Sequence, residues 1–437
     1  MMQQYPAYKD SGLYWLGEIP SHWDTLAIKR IVTTPVTDGP HETPEFLDDG
    51  IPFVSAEAVK NFQLDFSKKR GFISPQDHAK YSKKYKPKRG DIYIVKSGAT
   101  TGNVAVVETD EEFNIWSPLA AIRPNPKKAL TRFVYFFMRS RHFFQAIATK
   151  WSFGTQQNIG MGVIENIRIT LPPLDEQKAI ADYLDEQTAV INQFLTNKRR
   201  LIALLEEQKQ VVINTAVTQG LETAVGRKPS GIDWLGNIPA HWTEKRAKYF
   251  FYEVNERSET GEEELLSVSH ITGVTPRSEK NITMFQAESY EGYKTCQPDD
   301  LVINIMWAWM GAMGVSQHHG IISSAYGVYR QLKSNTFYSP YLDHLVRVNQ
   351  YIAEYTCRST GIRSSRLRMY TDDFFDMPII CPPYNEQVAI VQFIDDKTAE
   401  INAAIERTQR EIELIEEYRT TLIAHAVTGK IDVRSVV

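Results

Sequence analysis

The side chains best equipped for chemistry lie in a few short stretches. Asp175-Glu176-Gln177-Lys178 places acids before a lysine, the order in which some nucleases hold Mg²⁺ and assist a water. Its second copy, Asn385-Glu386-Gln387-Val388, has neither the aspartate nor the lysine, so helix capping explains the pair better than hydrolysis. Cys381-Pro382-Pro383-Tyr384 approaches a motif that grips a target amine, but Cys stands where a polar group is needed and the twin reads Leu171-Pro172-Pro173-Leu174. No glycine-rich loop for S-adenosylmethionine follows a strand. Residues 97–102, SGATTG, have the small residues of a phosphate loop without its GK[ST] ending, so nucleotide binding is not expected. His22 and His241 lack a surrounding ligand set, and Cys296, Cys357 and Cys381 show neither CxxC spacing nor an even count. No catalytic residue, metal site or disulfide framework is assigned.

The remaining candidates suit phosphates and base edges. Net charge is −4, yet residues 60–90 carry ten Lys/Arg against Asp65 and Asp77, a local excess of eight positive charges that suits a phosphate-neutralising patch and equally a solvated lysine-rich surface. Lys83, Lys84, Lys86 and Lys88 are its densest part, and Lys96, Ser97, Thr100 and Thr101 follow in and around the small-residue loop, where hydroxyls and amides can grip a phosphate. Gln156, Gln157 and Asn158, in GTQQN, can pair bidentately with adenine, with loop capping as their bland alternative. Arg358, Arg363, Arg366 and Arg368 lie in RSTGIRSSRLR with no acid between them; arginine serves both phosphate and guanine. Trp307 and Trp309 alternate as on a strand, which predicts core packing on one face, with exposed insertion or stacking against DNA as the alternative.

These residues need elements to hold them, and the chain supplies each element twice. Residues 11–23, SGLYWLGEIPSHW, match residues 230–242, SGIDWLGNIPAHW, at nine of thirteen positions with an offset of 219. Residues 172–192 match residues 382–402 at eleven of twenty-one, with an offset of 210. The latter segments predict long helices: a proline pair stops what precedes, Asp175 and Asn385 serve as N-caps, and no Pro or Gly intervenes until Gly220 and Gly429. Leu184, Ile191, Leu195, Ile202, Leu205 and Val212 form a heptad seam, matched by Ile394, Ile401, Ile405, Ile412, Ile415 and Leu422 and interrupted at one step by Lys198 and Thr408. Pairing of the two helices with each other is therefore expected. Ahead of each helix, IYIVKSGATTGNVAVV reads as a β-hairpin in the first block, and LVINIMWAWMGAMGVS aligns with it in the second, Asp91 on Asp300 and Gly102 on Gly311.

The order is block, helix, block, helix. If the helices pair antiparallel, the chain resembles a dimer fused into one polypeptide, its blocks related by an approximate two-fold axis, which suits duplex DNA. The expected fold is mixed α+β: two globular α/β blocks and two long helices in an antiparallel coiled coil, pseudo-two-fold symmetric. The boundaries are 1–170, 171–220, 221–380 and 381–437.

WLGxIPxHW, the PPxxEQxAI helix openings, GDIYIVKSGATTGNVAVV and GTQQNIG, in this doubled order over essentially the whole chain, resemble the specificity (S) subunit of Type I restriction-modification systems. The resemblance implies two target recognition domains, each reading half of a bipartite double-stranded DNA site, and helices that set the spacer. They would also dock methyltransferase (M) subunits, two of them, and restriction (R) subunits. Adenine N6 methylation from S-adenosylmethionine and cleavage driven by ATP with Mg²⁺ would belong to those partners; this chain would be non-catalytic and hold no cofactor. The competing class is a coiled-coil scaffold whose blocks bind protein. No apolar run reaches a membrane span and the N-terminus lacks a signal-peptide core, so a cytoplasmic protein is expected.

Overall fold

The computed structural model describes residues 3–148, 152–153, 157–222, 224–280, 289–361 and 367–434. It divides into two units, Met1–Arg199 with Arg410–Val437, and Arg200–Gln409. The long helices are continuous, Leu174–Gln219 and Tyr384–Val427, so each contributes part of its length to each unit. Both begin directly after a proline pair. The Pro173 carbonyl accepts the Gln177 amide at 2.9 Å and the Pro383 carbonyl accepts the Gln387 amide at 3.1 Å, which puts these prolines in the cap position. Asp175 and Asn385, expected as N-caps, instead lie within the first turn.

In the first unit four strands lie in the order Val104–Val106, Ile92–Val95, Leu119–Ile122, Thr37–Asp38, all antiparallel. The expected hairpin is present, with Val104 opposite Ile94. All four residues of Ile92–Val95 are buried, which is why the run is apolar without alternation. Helices Thr131–Arg139 and Arg141–Ala148 follow the sheet; Phe133, Phe136, Phe137 and Phe143 are fully buried. The second unit repeats the order with Met313–Val315, Leu301–Ile303, Gly327–Gln331 and Phe251–Glu253, and Leu301 faces Val315. A buried aspartate at the foot of each hairpin takes an arginine two strands on: Asp91 with Arg123 at 2.6 Å, Asp300 with Arg330 at 2.7 Å.

Within the first unit Leu184, Ile191, Leu195, Ile412 and Leu422 are buried and Ile415 is half-buried. Asn192 meets Arg419 at 2.9 Å, whereas further along the first helix Lys198 meets Glu411 at 2.6 Å and Arg199 meets Glu416 at 2.7 Å; the later residues of one helix meet earlier residues of the other, so these stretches run antiparallel. Within the second unit Ile394 and Ile401 are buried, Ile202, Leu205, Val212 and Ile405 half-buried, and Lys209 reaches Asn402 at 3.0 Å. The polar interruptions are both satisfied. Lys198 has its glutamate, and the Thr408 hydroxyl donates to the Ala404 carbonyl at 2.8 Å.

The repeated phrase is locked to the helix start. Fully buried Trp23 donates its indole N–H to Glu176 at 2.9 Å and His22 Nε2 lies 2.7 Å from the same carboxylate; Trp242 and His241 meet Glu386 at 3.0 and 2.7 Å. Gln177, also buried, accepts the Leu130 amide and donates to the Lys128 and Pro172 carbonyls, while Gln387 accepts the Tyr338 amide and donates to those of Thr336 and Pro382. The helices end on left-handed glycines, Gly220 at φ 74° and Gly429 at φ 72°; a Cβ on Gly429 would sit 2.3 Å from the Pro20 ring.

Gln177→Leu and Gln387→Leu should each destabilise their own unit by about 2–4 kcal/mol, because three backbone groups lose their partners; denaturant unfolding of each variant measures this, and a neutral result for either would show that water replaces the amide.

Acid should weaken the fold through its buried histidines. Burial, with repulsion from Arg141, Lys430 and His425, pulls the pKa of His142 down to about 4, and burial also lowers those of His344 and His425. The unfolded imidazole binds its proton near pH 6.5, before the folded one does, so stability is intact above that value and falls as pH drops toward 4. Melting temperature measured from pH 7 to pH 4 should decline, with a shallower slope in His142→Gln.

Candidate functional site

The strands Ile92–Val95 and Val104–Val106 present the loop of residues 96–103 at one end of the first unit's sheet. Gly98 and Gly102 bend it at φ 109° and 94°, and a Cβ on Gly102 would meet the Phe144 ring at 2.8 Å. The loop is joined to the amide-rich segment: the Ile159 amide donates to the Lys96 carbonyl at 2.7 Å, and Ser97 forms a β-bridge with Asn158. Two candidate groups some sixty residues apart in sequence thus share one edge. Ser97 is half-buried, and Thr100 and Asn158 are exposed. Thr101 is buried and donates its hydroxyl to the Gly98 carbonyl at 2.6 Å, so it helps close the turn. Gln157 pairs through its backbone with Phe153; its side chain, and all of Gln156, lie outside the described residues.

Beneath the loop, Asp38 gathers Lys84 and Lys96, each at 2.5 Å, with His41 at 3.3 Å. Burial alone would raise the Asp38 carboxyl, but the hydrogen bonds and charges of the two ammonium groups outweigh it and hold the pKa below the usual value. Lys96 is therefore no free cation: its side chain is 11% exposed and its charge is spent on Asp38.

The charge excess counted along residues 60–90 is also smaller in space. Arg70 pairs with Glu57, Lys80 with Glu42, Lys84 with Asp38, Lys86 with Glu112 and Arg89 with Asp110. Every one of those acids lies outside the run, because folding, not sequence proximity, brings it there. Lys83 and Lys88 are exposed and make no ion pair among the described residues. Surface pairs of this kind are weak, about 0–1 kcal/mol, so a phosphate can compete for the paired lysines.

The second unit has the same wiring and different side chains. The Met369 amide donates to the Ile305 carbonyl at 3.0 Å, joining the arginine segment to the loop that follows Leu301–Ile303. Thr360 and Arg368 exchange two backbone hydrogen bonds at 2.9 Å, and the Arg368 side chain is exposed. Arg358 meets Glu354 one helical turn earlier at 2.6 Å; Arg363 and Arg366 lie outside the described residues. Trp307 and Trp309 do not alternate on a strand. Ala308–Met310 is a 3₁₀ turn, the two rings stack at 6.4 Å and 18°, and Trp307 is 49% exposed. The strand stops at Ile303, where Asn304 turns the chain by accepting the Met306 amide on its side chain at 3.2 Å and the Trp307 amide on its carbonyl at 2.9 Å, and Gly311, at φ 79°, closes the turn that follows.

Among the described residues no three His, Cys, Asp or Glu side chains gather as a metal site requires, and no helix is long and apolar enough to cross a membrane. Asp38 was missed in the sequence, since nothing near it in the chain marks it as the anchor of two lysines.

Residues 20–206 match the family described as the Type I restriction modification DNA specificity domain. The chain is 24% identical, over 96% of both lengths, to a protein of Methanocaldococcus jannaschii assigned to the MjaX type I restriction enzyme as its specificity subunit. It is 22% identical to the StySPI type I restriction enzyme specificity subunit of Salmonella potsdam, over 95% of this chain and 90% of that one. A solved chain from work on complex assembly and conformational transition of the type I R-M system superimposes with a TM-score of 0.64 at 16% identity, over 94% of this chain and 99% of that one.

Asp38→Asn should cost about 3–5 kcal/mol, because Lys96 is left buried without its carboxylate. Asp38→Asn combined with Lys96→Met should recover most of the loss. Thermal melts of the three proteins decide this, and a double variant no more stable than the single one would show that Asp38 acts through the backbone instead.

Proposed function

We propose that the chain is a specificity subunit of a Type I restriction-modification system, a non-catalytic member of that complex, and that each unit reads one half of a split DNA target. The observation that carries the reading is the repeated wiring: in both units a hairpin loop is tied by a backbone hydrogen bond to a segment rich in amides or arginines. In the first unit Asn158 offers the bidentate chemistry suited to adenine, flanked by Ser97 and Thr100, while Lys83 and Lys88, with the exchangeable Lys84 and Lys86, hold phosphates. In the second unit Arg368 supplies guanidinium chemistry for guanine or phosphate. Lys96 and Thr101 support the loop from below.

The long helices, 46 and 44 residues, would set the unspecified spacer and dock two methyltransferase subunits, with restriction subunits joining the complex. S-adenosylmethionine, ATP and Mg²⁺ would be bound by those partners, and the complex would work in the cytoplasm.

Methylome sequencing of cells expressing the chain with its methyltransferase subunit tests the reading directly. A split N6-methyladenine motif of fixed spacing is expected; its absence in cells that make the methyltransferase would favour a protein-binding scaffold. Two substitutions separate the roles. Lys83→Ala with Lys88→Ala should lower affinity for all sequences and reduce the slope of log K against log salt by about 0.9 for each phosphate no longer neutralised. Asn158→Ala should cost about 1–3 kcal/mol at one half-site only, measured by competition between targets altered in either half. Uniform loss at both halves would remove Asn158 from base reading.

A further inference from the structure

Arg139, the last residue of the helix Thr131–Arg139, is a half-buried cation with no counterion among the described residues. Its guanidinium lies 4.4 Å from the Phe62 ring, 5.1 Å from Tyr135 and 5.6 Å from Phe136. It donates one hydrogen bond, to the Tyr135 hydroxyl at 3.2 Å, and its Nε is buried with no partner. Among the described residues no carboxylate pairs with it. The acids nearby, Asp185 and Glu108, are both held by Arg132. Repulsion from Arg419 adds to the desolvation that pulls its pKa below the ordinary arginine value. Arginine does not give up its proton under such pressure, so the charge stays and seeks an anion.

Two further observations mark the place as built. Asn61 and Phe62 form the two-residue turn between Val59–Lys60 and Gln63–Leu64, both at positive φ, 50° and 62°. Glycine is the usual second residue of such a turn; a phenylalanine there is strained, and what the strain secures is a ring over Arg139 and a carbonyl that accepts the Tyr135 hydroxyl at 2.8 Å. The second unit supplies an internal control. Arg347 is the counterpart of Arg139 at an offset of 208, and Asp343 stands where the first unit has Tyr135. Arg347 pairs with Asp343 at 3.1 Å and also donates to the Ile271 carbonyl. One copy therefore carries its own carboxylate, and the other has replaced it with a phenol beside a cavity of about 520 Å³ lined by Arg132, Arg139, Thr188 and Asn192.

We infer that this cavity takes a carboxylate, supplied from outside the chain in the position that Asp343 fills in the second unit. A single negative charge fits; a dianion would be repelled by Asp185 and Glu108, which line the same space. The group comes either from a free organic acid or from an Asp or Glu of a partner subunit.

The test compares melting of the full chain in sodium acetate and in sodium chloride at equal pH and ionic strength. Acetate should raise the melting temperature of the wild type by about 2 °C or more over chloride. Arg139→Met, which keeps the packing, and Tyr135→Asp, which restores the internal carboxylate, should lose that increment and melt no lower than wild type in chloride. The same increment in all three proteins, or a drop of several degrees for Arg139→Met in chloride, would overturn the inference. A second arm co-purifies the methyltransferase subunit: reduced recovery with Arg139→Met assigns the carboxylate to that partner, and unchanged recovery assigns it to a free acid. Only this arm rests on the Type I reading, so the two can fail separately. Weaker DNA binding by Arg139→Met with a changed salt slope would mean that the cavity takes a phosphate of DNA, and would also overturn the proposal.

Discussion

A carboxylate and an amide, side by side in the first turn of each long helix, hold the molecule's repeated parts together. Glu176 and Glu386 accept the indole N–H of a fully buried tryptophan and the neighbouring histidine, while Gln177 and Gln387 tie that same turn to the backbone entering a helix of the block. Hydrogen bonds to a charged group contribute about 1.5–3 kcal/mol each, and burying either partner alone would cost more than that. This explains why WLGxIPxHW and PPxxEQ occur together and occur twice: each is the other's required complement. The glycine that ends each helix closes the arrangement, since a side chain there would collide with the proline or press on the tryptophan of the same phrase.

With that frame duplicated, the differences between copies become informative. The hairpin loop is small and hydroxylated in the first unit and aromatic in the second; the segment tied to it carries amides in one and arginines in the other. The proposed reading of two unlike half-sites calls for this division between a constant scaffold and variable edges. The arginine at the end of the helix after the sheet follows the same logic, since one copy keeps its acid and the other has a tyrosine over an open cavity. A duplicated fold preserves what packs and is free to change what faces outward.

Electrostatics shows where linear reading misleads. Residues 60–90 look strongly basic when only neighbours in the chain are counted, yet five of the ten cations have an acid in space. Lys96 looked like a ligand for phosphate and proves to be a buried partner of Asp38. The stacked tryptophans reverse the error: an alternation that resembles a core strand falls in a turn that begins at Asn304, leaving Trp307 exposed. Pairing partners and turn geometry depend on contacts between distant residues, and no local pattern encodes them.

The sequence by itself determined the duplication, the two long helices with their seam, the paired hairpins and the resemblance to the Type I specificity subunits. These are periodic or repeated features, set by the helical repeat of 3.6, the strand repeat of 2 and the positions of Pro and Gly, and such features survive in a linear string. It also singled out the amide and arginine segments by residue type. Only the tertiary structure decided that those segments abut the hairpin loops, that Asp38 anchors two lysines, that Glu176 and Glu386 bind the tryptophan phrase instead of merely capping a helix, and that Arg139 has no counterion among the described residues. Each of these is a pairing across many residues of chain, fixed by which surfaces the folded core brings together, and its energy exists only once the desolvated neighbours are in place.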